Sequence, residues 1–544
     1  MSAVAEAADD PRTWMSRVRA PRGLVIAAMA VCLVMVGPLA YLVLRASEAD
    51  ATSWDLILRM RTVWLIARTV GLATAVTLAS IVIGVPLAWL TVRTDLPGRR
   101  IWAVLVSLPL VIPSYVGAFA LLAAFGPRGM LQQVLEGPLG VERLPDISGF
   151  PGAFIALTCF TYPYVFLLVA AAMKGLDPGL EDVARSLSAN RWTTFRRVTL
   201  PSLRPSIAAG ALLVALYALH DFGAVSLMRF PAFTQAIYLQ YKGAFDRTPA
   251  AILSLMLVAL AMLVLALEQR ARGRARFYRS GMGTSRPLPP VSLGRWKWPS
   301  LLFCGSVTLV ALAGPVAVIA FWLVRGMLAG RDVSLALGPA GGSILASSAA
   351  AVVAVIAAAP IARLAARHQS PLVRNVERLS YTGYALPGIV AALAFVFFAA
   401  NFTPWLYQSL PLLVVAYVVL FLPQASEPLR SSFLQMGPRV EEAGRALGQS
   451  RLRVYRSIVA PLVARGAMAG GALVFLTSMK ELPATLLLRP TGFDTLATSV
   501  WSGAAVGLYS EAAAPALLLI LICALPLYLL VRRIEVERIE VRAE

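Results

Sequence analysis

Apolar runs of roughly 18–25 residues recur from one end of the chain to the other, separated by polar segments rich in arginine. Coiled as a helix, a run of that length covers a hydrocarbon core of about 30 Å. Twelve runs are expected to span a membrane: about 24–45, 68–91, 102–124, 152–173, 206–228, 250–268, 300–325, 343–366, 380–399, 409–427, 466–488 and 512–532. The fifth and eleventh carry polar residues near their outer ends. In lipid every backbone N–H and C=O needs a partner within its own segment, so the pattern predicts helices. The expected class is an all-α membrane protein with about twelve transmembrane helices.

The pattern also repeats. Asp182–Phe233 matches Glu442–Phe493 without a gap, 260 residues on. Arg185, Leu187, Arg191, Arg196, Pro201, Gly210, Arg229 and Phe233 find identical partners in Arg445, Leu447, Arg451, Arg456, Pro461, Gly470, Arg489 and Phe493. Asp182/Glu442, Phe195/Tyr455, Val198/Ile458 and Asp221/Glu481 are conservative pairs. Two copies of one membrane unit fused head to tail explain this, a construction common among transporters. The expected organisation is a cytoplasmic segment 1–23, a first unit 24–268, a cytoplasmic linker 269–299, a second unit 300–532 and a tail 533–544. Arg270, Arg272, Arg274, Arg276, Arg279 and the proline-rich run 286–290 mark the linker. The first copy is longer in its outer loop, 125–151, which holds Pro127, Gly137, Pro138, Pro145, Gly149 and Pro151. That loop suits docking of one asymmetric partner, and it equally suits a neutral insertion.

Composition narrows the class further. Of 544 residues, 58% are hydrophobic and 14% charged, against about 25% charged in soluble proteins; mean hydropathy is +0.74. The net charge of +21 raises the question of nucleic acid, but its distribution answers it. With the N-terminus inside and twelve alternating spans, 36 of the 49 Lys and Arg fall on the inner side. That is the positive-inside asymmetry, so the charge reads as topology and no nucleic-acid partner is expected. Arg12, Arg17, Arg19 and Arg22 precede an apolar run with no small-residue cleavage site close behind, which reads as a retained first span. Cys32, Cys159, Cys304 and Cys523 lie within spans and form no CxxC, so neither a disulfide framework nor a zinc site is expected. With only His220 and His368, a histidine metal cluster is excluded.

The repeated segment is richest where it enters the inner side. Copy one runs from Leu180 to Ser188 and then from Arg191 to Pro201; copy two runs from Val440 to Gly448 and then from Arg451 to Pro461. Acidic residues open each segment, as the helix dipole favours, and Leu187 and Leu447 give each first helix a small apolar face. Gly448 supplies a turn, and Pro201 and Pro461 stand where the next membrane helix begins. The expectation is a short helix, a turn and a second helix beneath the membrane. This segment resembles the EAA loop of ABC-transporter permeases, E-A-A-x-x-x-G with an I-x-L-P-like ending. Copy two carries it as Glu442, Ala443, Gly444, Gly448, Ile458 and Pro461, with Gly444 in place of the second alanine. Copy one carries it as Asp182, Val183, Ala184, Ser188, Val198, Leu200 and Pro201, with Ser188 in place of the glycine. The resemblance implies two tandem six-helix units of the type I permease kind, in a bacterial inner membrane, with each loop docking into an ATP-binding subunit.

The chain has no G-x-x-x-x-G-K-[ST] loop and no Gly-Lys dipeptide, so it lacks the phosphate cradle needed to bind ATP. The resemblance therefore implies two separate ATPase subunits that carry the ATP and Mg, no cofactor on this chain, and an extracytoplasmic solute-binding protein. Asp221 and Glu481, late in spans five and eleven and preceded by His220 and Lys480, are costly membrane charges. They are candidates for the translocation path or outer gate, with Arg229 and Arg489 eight residues on at the outer surface. A structural ion pair, such as Lys480 with Glu481, is the plainer reading. The stretches Lys480–Pro490 and Phe493–Trp501, with His220–Ala224 and Ile237–Tyr241, look like the fused ferric-iron importers. Thiamine, polyamine and sulfate permeases share parts of the architecture. A polytopic membrane transferase would need a carboxylate or histidine cluster in one loop, which no loop has outside the coupling segments.

Overall fold

A computed structural model describes residues 21–50, 54–55, 59–176, 184, 186, 190–243, 247–272, 290–330, 336–368 and 370–524. The arginines before residue 21, the middle of the linker, the C-terminal tail, and Asp182, Val183 and Ser188 lie outside these residues. Regular structure among the described residues is helical, apart from one isolated bridge pairing Thr94 with Val291. Nine described helices are long and apolar enough to cross a membrane, or ten if one bent pair counts as a span.

The third and ninth expected spans are not single straight helices. The third is Arg99–Val111 followed by Ser114–Leu139, bent by 94° at Pro113, which has no N–H to carry the ladder through. The ninth is Gly388–Phe402, 15 residues after Pro387, roughly 22 Å long and short of a full crossing. Spans five and eleven also end early, at His220 and Met479. Their expected outer turns form separate short helices, Gly223–Leu227 and Pro483–Leu488.

Proline also sets a finer feature. Phe195–Thr199, Leu309–Ala313 and Tyr455–Val459 are single π turns. Each lies two residues ahead of a proline: Pro201, Pro315 or Pro461. Without its N–H the proline cannot make the ordinary bond, and the residue before it reaches back five positions instead, as Leu200 to Phe195 and Ala460 to Tyr455.

The chain forms two compact units that do not follow the sequence halves. One is Asp50–Leu335 with Val500–Ile520; the other is Met1–Ala49, Ala336–Ser499 and Leu521–Glu544. In the former, Met60–Arg93, Phe150–Lys174 and Leu200–His220 pack on one another. In the latter, Leu337–Arg367, Leu410–Met436 and Ala460–Met479 do the same. Lipid gives no hydrophobic drive between helices, so small residues and close packing hold them. Gly210 shows this: a Cβ there would lie 2.8 Å from Val165 Cα, and one on Gly470 would lie 2.9 Å from Ala425 Cα. Both pairs stand at the 260-residue offset. Arg22–Ser47 packs in the second unit against Leu337–Arg367, Pro371–Ser380 and Gly388–Phe402. The far end of the linker is stapled into the first unit, where Asp95 accepts the Leu293 N–H at 2.8 Å and pairs with Lys297 at 3.1 Å.

Candidate functional site

In the second copy Gly437, at φ +66°, turns the chain out of Leu410–Met436, and Pro438 opens the nine-residue helix Pro438–Ala446. Gly448 closes it at φ +77°, its N–H donating to Arg445 O at 3.0 Å while Gln449 N–H donates to Gly444 O at 3.3 Å. That left-handed stop favours glycine. Ser450 then caps the next turn, accepting from Arg453 N–H at 3.4 Å. The helix has two faces. Glu441 and Gly444 are buried, and a Cβ on Gly444 would sit 2.9 Å from Ile458 Cδ1 and 3.1 Å from Val454 Cγ2. Glu442, Ala443, Arg445 and Leu447 face outward, with Leu447 81% exposed.

Glu441 is the anchor, and the motif did not single it out. Its carboxylate meets Arg363 at 2.8 Å and Arg367 at 3.5 Å, both from the last turns of Leu337–Arg367, and Arg445 of its own helix at 3.8 Å. Arg367 also donates to Gly437 O at 3.1 Å. Glu441 and Arg367 are nearly enclosed, while Arg363 and Arg445 keep water contact. The sequence signal was the pair Arg363 and Arg367, four apart and so on one helix face. In the first copy the continuous described stretch begins at Asn190, whose Oδ1 accepts the Thr193 N–H at 2.7 Å. Ala184 is half-buried, and Pro201 and Pro461 follow their π turns.

Asp221 and Glu481 occupy one place in the two copies, just past the end of the long helix. Asp221 is buried; its Oδ1 accepts the N–H of Ala224 at 2.9 Å and of Val225 at 3.2 Å, and its Oδ2 accepts the Ser114 hydroxyl. Glu481 Oε1 accepts the Ala484 N–H at 3.3 Å. Each carboxylate thus starts the short helix that follows it. The partner position changes with the acid. Ser114 follows Pro113 in the first copy, and Gly388 follows Pro387 in the second. A Cβ on Gly388 would lie 2.3 Å from Glu481 Oε1, so the longer acid is accommodated by the smaller neighbour.

His220, the last residue of the helix Leu200–His220, keeps a buried Nε2 with no hydrogen-bond partner among the described residues. Lys480 stands just past Met479, the end of the matching helix, its N–H on Thr477 O at 3.2 Å. Arg489 is fastened by Asp494, by Phe493 O at 3.3 Å and by Thr498 Oγ1 at 3.3 Å. Arg229, its counterpart, is exposed and held at φ +52°.

A sequence profile described as the inner membrane component of binding-protein-dependent transport systems matches residues 80–276 and again 350–536. The chain is 33% identical over 525 residues to the Fe(3+)-transport system permease protein FbpB 2 of Haemophilus influenzae, covering 96% of this chain and 98% of that one. It is 31% identical over 198 residues to the molybdenum transport system permease protein ModB of Escherichia coli, 35% of this chain and 85% of that one. With the sulfate transport system permease protein CysT of Salmonella typhimurium it shares 30% over 196 residues, 36% of this chain and 69% of that one.

Proposed function

We infer what this chain carries from what it is: it belongs to the family of binding-protein-dependent transport system inner membrane components, with two copies of the unit on one chain. It is a multi-pass ABC permease of the inner membrane, a transport subunit rather than an enzyme. We propose that its cargo is ferric iron delivered by a solute-binding protein. The observation that carries this is coverage. The ferric permease matches from end to end, whereas the molybdenum and sulfate permeases match about one copy each.

In this reading both termini lie in the cytoplasm, and two ATPase subunits, which hold the ATP and Mg, dock on the two coupling segments. Glu442, Ala443 and Leu447 form the contact in the second copy. Asp182, Val183, Ala184 and Ser188 form it in the first. Gly444, Gly448, Pro201 and Pro461 shape the two segments. Glu441 with Arg363 and Arg367 ties the second docking helix to the membrane helix Leu337–Arg367, so a pull on the helix reaches the span. Asp221 and Glu481 stand at the outer gate and act through the short helices they start. Arg229 and Arg489 flank that gate.

The test is uptake of radiolabelled ferric iron and of thiamine, side by side, in iron-limited cells with and without the chain. Loss of iron uptake alone is the expected result. Loss of thiamine uptake alone would keep the permease and replace its cargo.

A further inference from the structure

The outer loop that lengthens the first copy builds a cavity of about 460 Å³. Its wall includes Arg143 and Asp146 from that loop, with Arg229, Tyr238, Trp501 and Tyr509. All six belong to the unit Asp50–Leu335 with Val500–Ile520. The volume is in the range of sites for small organic ligands.

The charges are arranged unevenly. Asp146 Oδ1 is already engaged, accepting the Ser148 N–H at 2.9 Å and its hydroxyl at 2.6 Å. These bonds, and then the charges of Arg229 and Arg143, hold its carboxyl below the usual carboxylate range. Neither guanidinium donates a hydrogen bond or forms an ion pair at contact distance among the described residues, so their donors remain open. The second copy shows what a purely structural arginine looks like here, because Arg489 is tied by Asp494. The residue matching Asp494 in the first copy is Thr234, whose hydroxyl donates instead to Asp221 O at 2.6 Å. The acid that pairs directly with the arginine in the second copy is thus absent at the matching position of the first, where the nearby charge is Asp146 of the loop. Arg229 also sits in a left-handed conformation that Arg489 does not share. Local bonds hold it there, from Arg229 N–H to Ser226 O at 3.0 Å and from Phe230 N–H to Val225 O at 2.8 Å.

We propose that this cavity binds a small oxoanion of the carboxylate or phosphate class, with Arg143 and Arg229 as its donors. Planar guanidinium forks match paired oxygens, and Tyr238, Tyr509 and Trp501 offer apolar faces with hydroxyl and indole donors. Two arginines against one engaged carboxylate repel a bare metal cation. The site is independent of whether ferric iron is the cargo.

The experiment is equilibrium binding of radiolabelled citrate and of inorganic phosphate to the full chain in nanodiscs of zwitterionic lipid. Saturable binding of either anion is expected, weakened by salt and at least tenfold weaker in Arg143→Gln and Arg229→Gln. Arg229→Lys keeps the charge and loses the fork, and should fall between. Arg128→Gln removes one charge from the same loop but none from the cavity wall, and should bind as the parent does. Whichever anion binds identifies the source. No saturable binding of either anion by the parent chain, or equal weakening in Arg128→Gln, would overturn the proposal.

Discussion

Replacing Glu441 by alanine should loosen the helix Pro438–Ala446 from the membrane helix above it. The carboxylate side chain is 9% exposed and Arg367 is 10% exposed, so the variant leaves one nearly enclosed guanidinium with Gly437 O as its hydrogen-bond partner among the described residues. Breaking a buried pair from one side typically costs about 3–5 kcal/mol. Arg363 and Arg445 are 32% and 48% exposed and recover part of the loss from water. A cost of about 2–3 kcal/mol remains, roughly 30- to 150-fold in the docked-to-undocked ratio. Hydrogen exchange of the peptide covering 438–448, in the reconstituted permease, should accelerate by that factor. Glu441→Gln should fall between, because it keeps hydrogen bonds and loses charge. Glu442→Lys changes only the exposed face, so it should leave exchange unaltered while uncoupling ATP hydrolysis from transport. Unchanged exchange in Glu441→Ala would show that the three arginines do not hold the helix.

Gly388→Ser should destabilise the second unit by about 1–3 kcal/mol through overpacking against Glu481. Adding Glu481→Asp recreates the Ser114–Asp221 arrangement and should recover most of the loss in a thermal melt. Gly444→Ala should cost under about 1 kcal/mol, since the 2.9 Å contact is with the mobile tip of Ile458, whereas Gly444→Leu should cost about 1–3 kcal/mol. The staple at Asp95 has a pH signature. The Leu293 N–H and Lys297 hold its carboxyl below the ordinary value, so its contribution is complete above pH ~4 and is lost as pH falls through the lowered value. Protection of the Leu293 amide, taken relative to its intrinsic exchange rate at each pH, should fall at acid pH in the parent chain, and Asp95→Asn should lack that transition.

Hydropathy revealed most spans because each is a long apolar helix with polar ends. It missed the breaks at Pro113 and Pro387, since a window of some twenty residues averages over a single proline. It also ran spans five and eleven too far, because mostly apolar stretches, 222–228 and 482–488, resume just past the charged residues, and only the Asp221 and Glu481 bonds show that a new helix starts. The coupling segment was legible as a motif, yet Glu441 and Glu442 are neighbours of one type. Only partners 74 and 78 residues away separate the anchor from the exposed acid. The likeness of Arg229 and Arg489 hid a difference five residues on, where Asp494 pairs with Arg489 while the matching Thr234 turns to Asp221 O.

The first helix has a consequence for synthesis. Cys32 donates its thiol to Val376 O, 344 residues later in the chain, and Tyr41 rests against Phe398 and Phe402. At about 5–20 residues per second of translation, those partners emerge roughly 20–70 seconds after the helix that needs them. Through that interval Arg22–Ser47 stands in the bilayer with its packing face on lipid, so the nascent protein must keep its oldest helix waiting for its youngest neighbours. A ribosome stalled in the linker would leave behind a first half that holds a helix it cannot use.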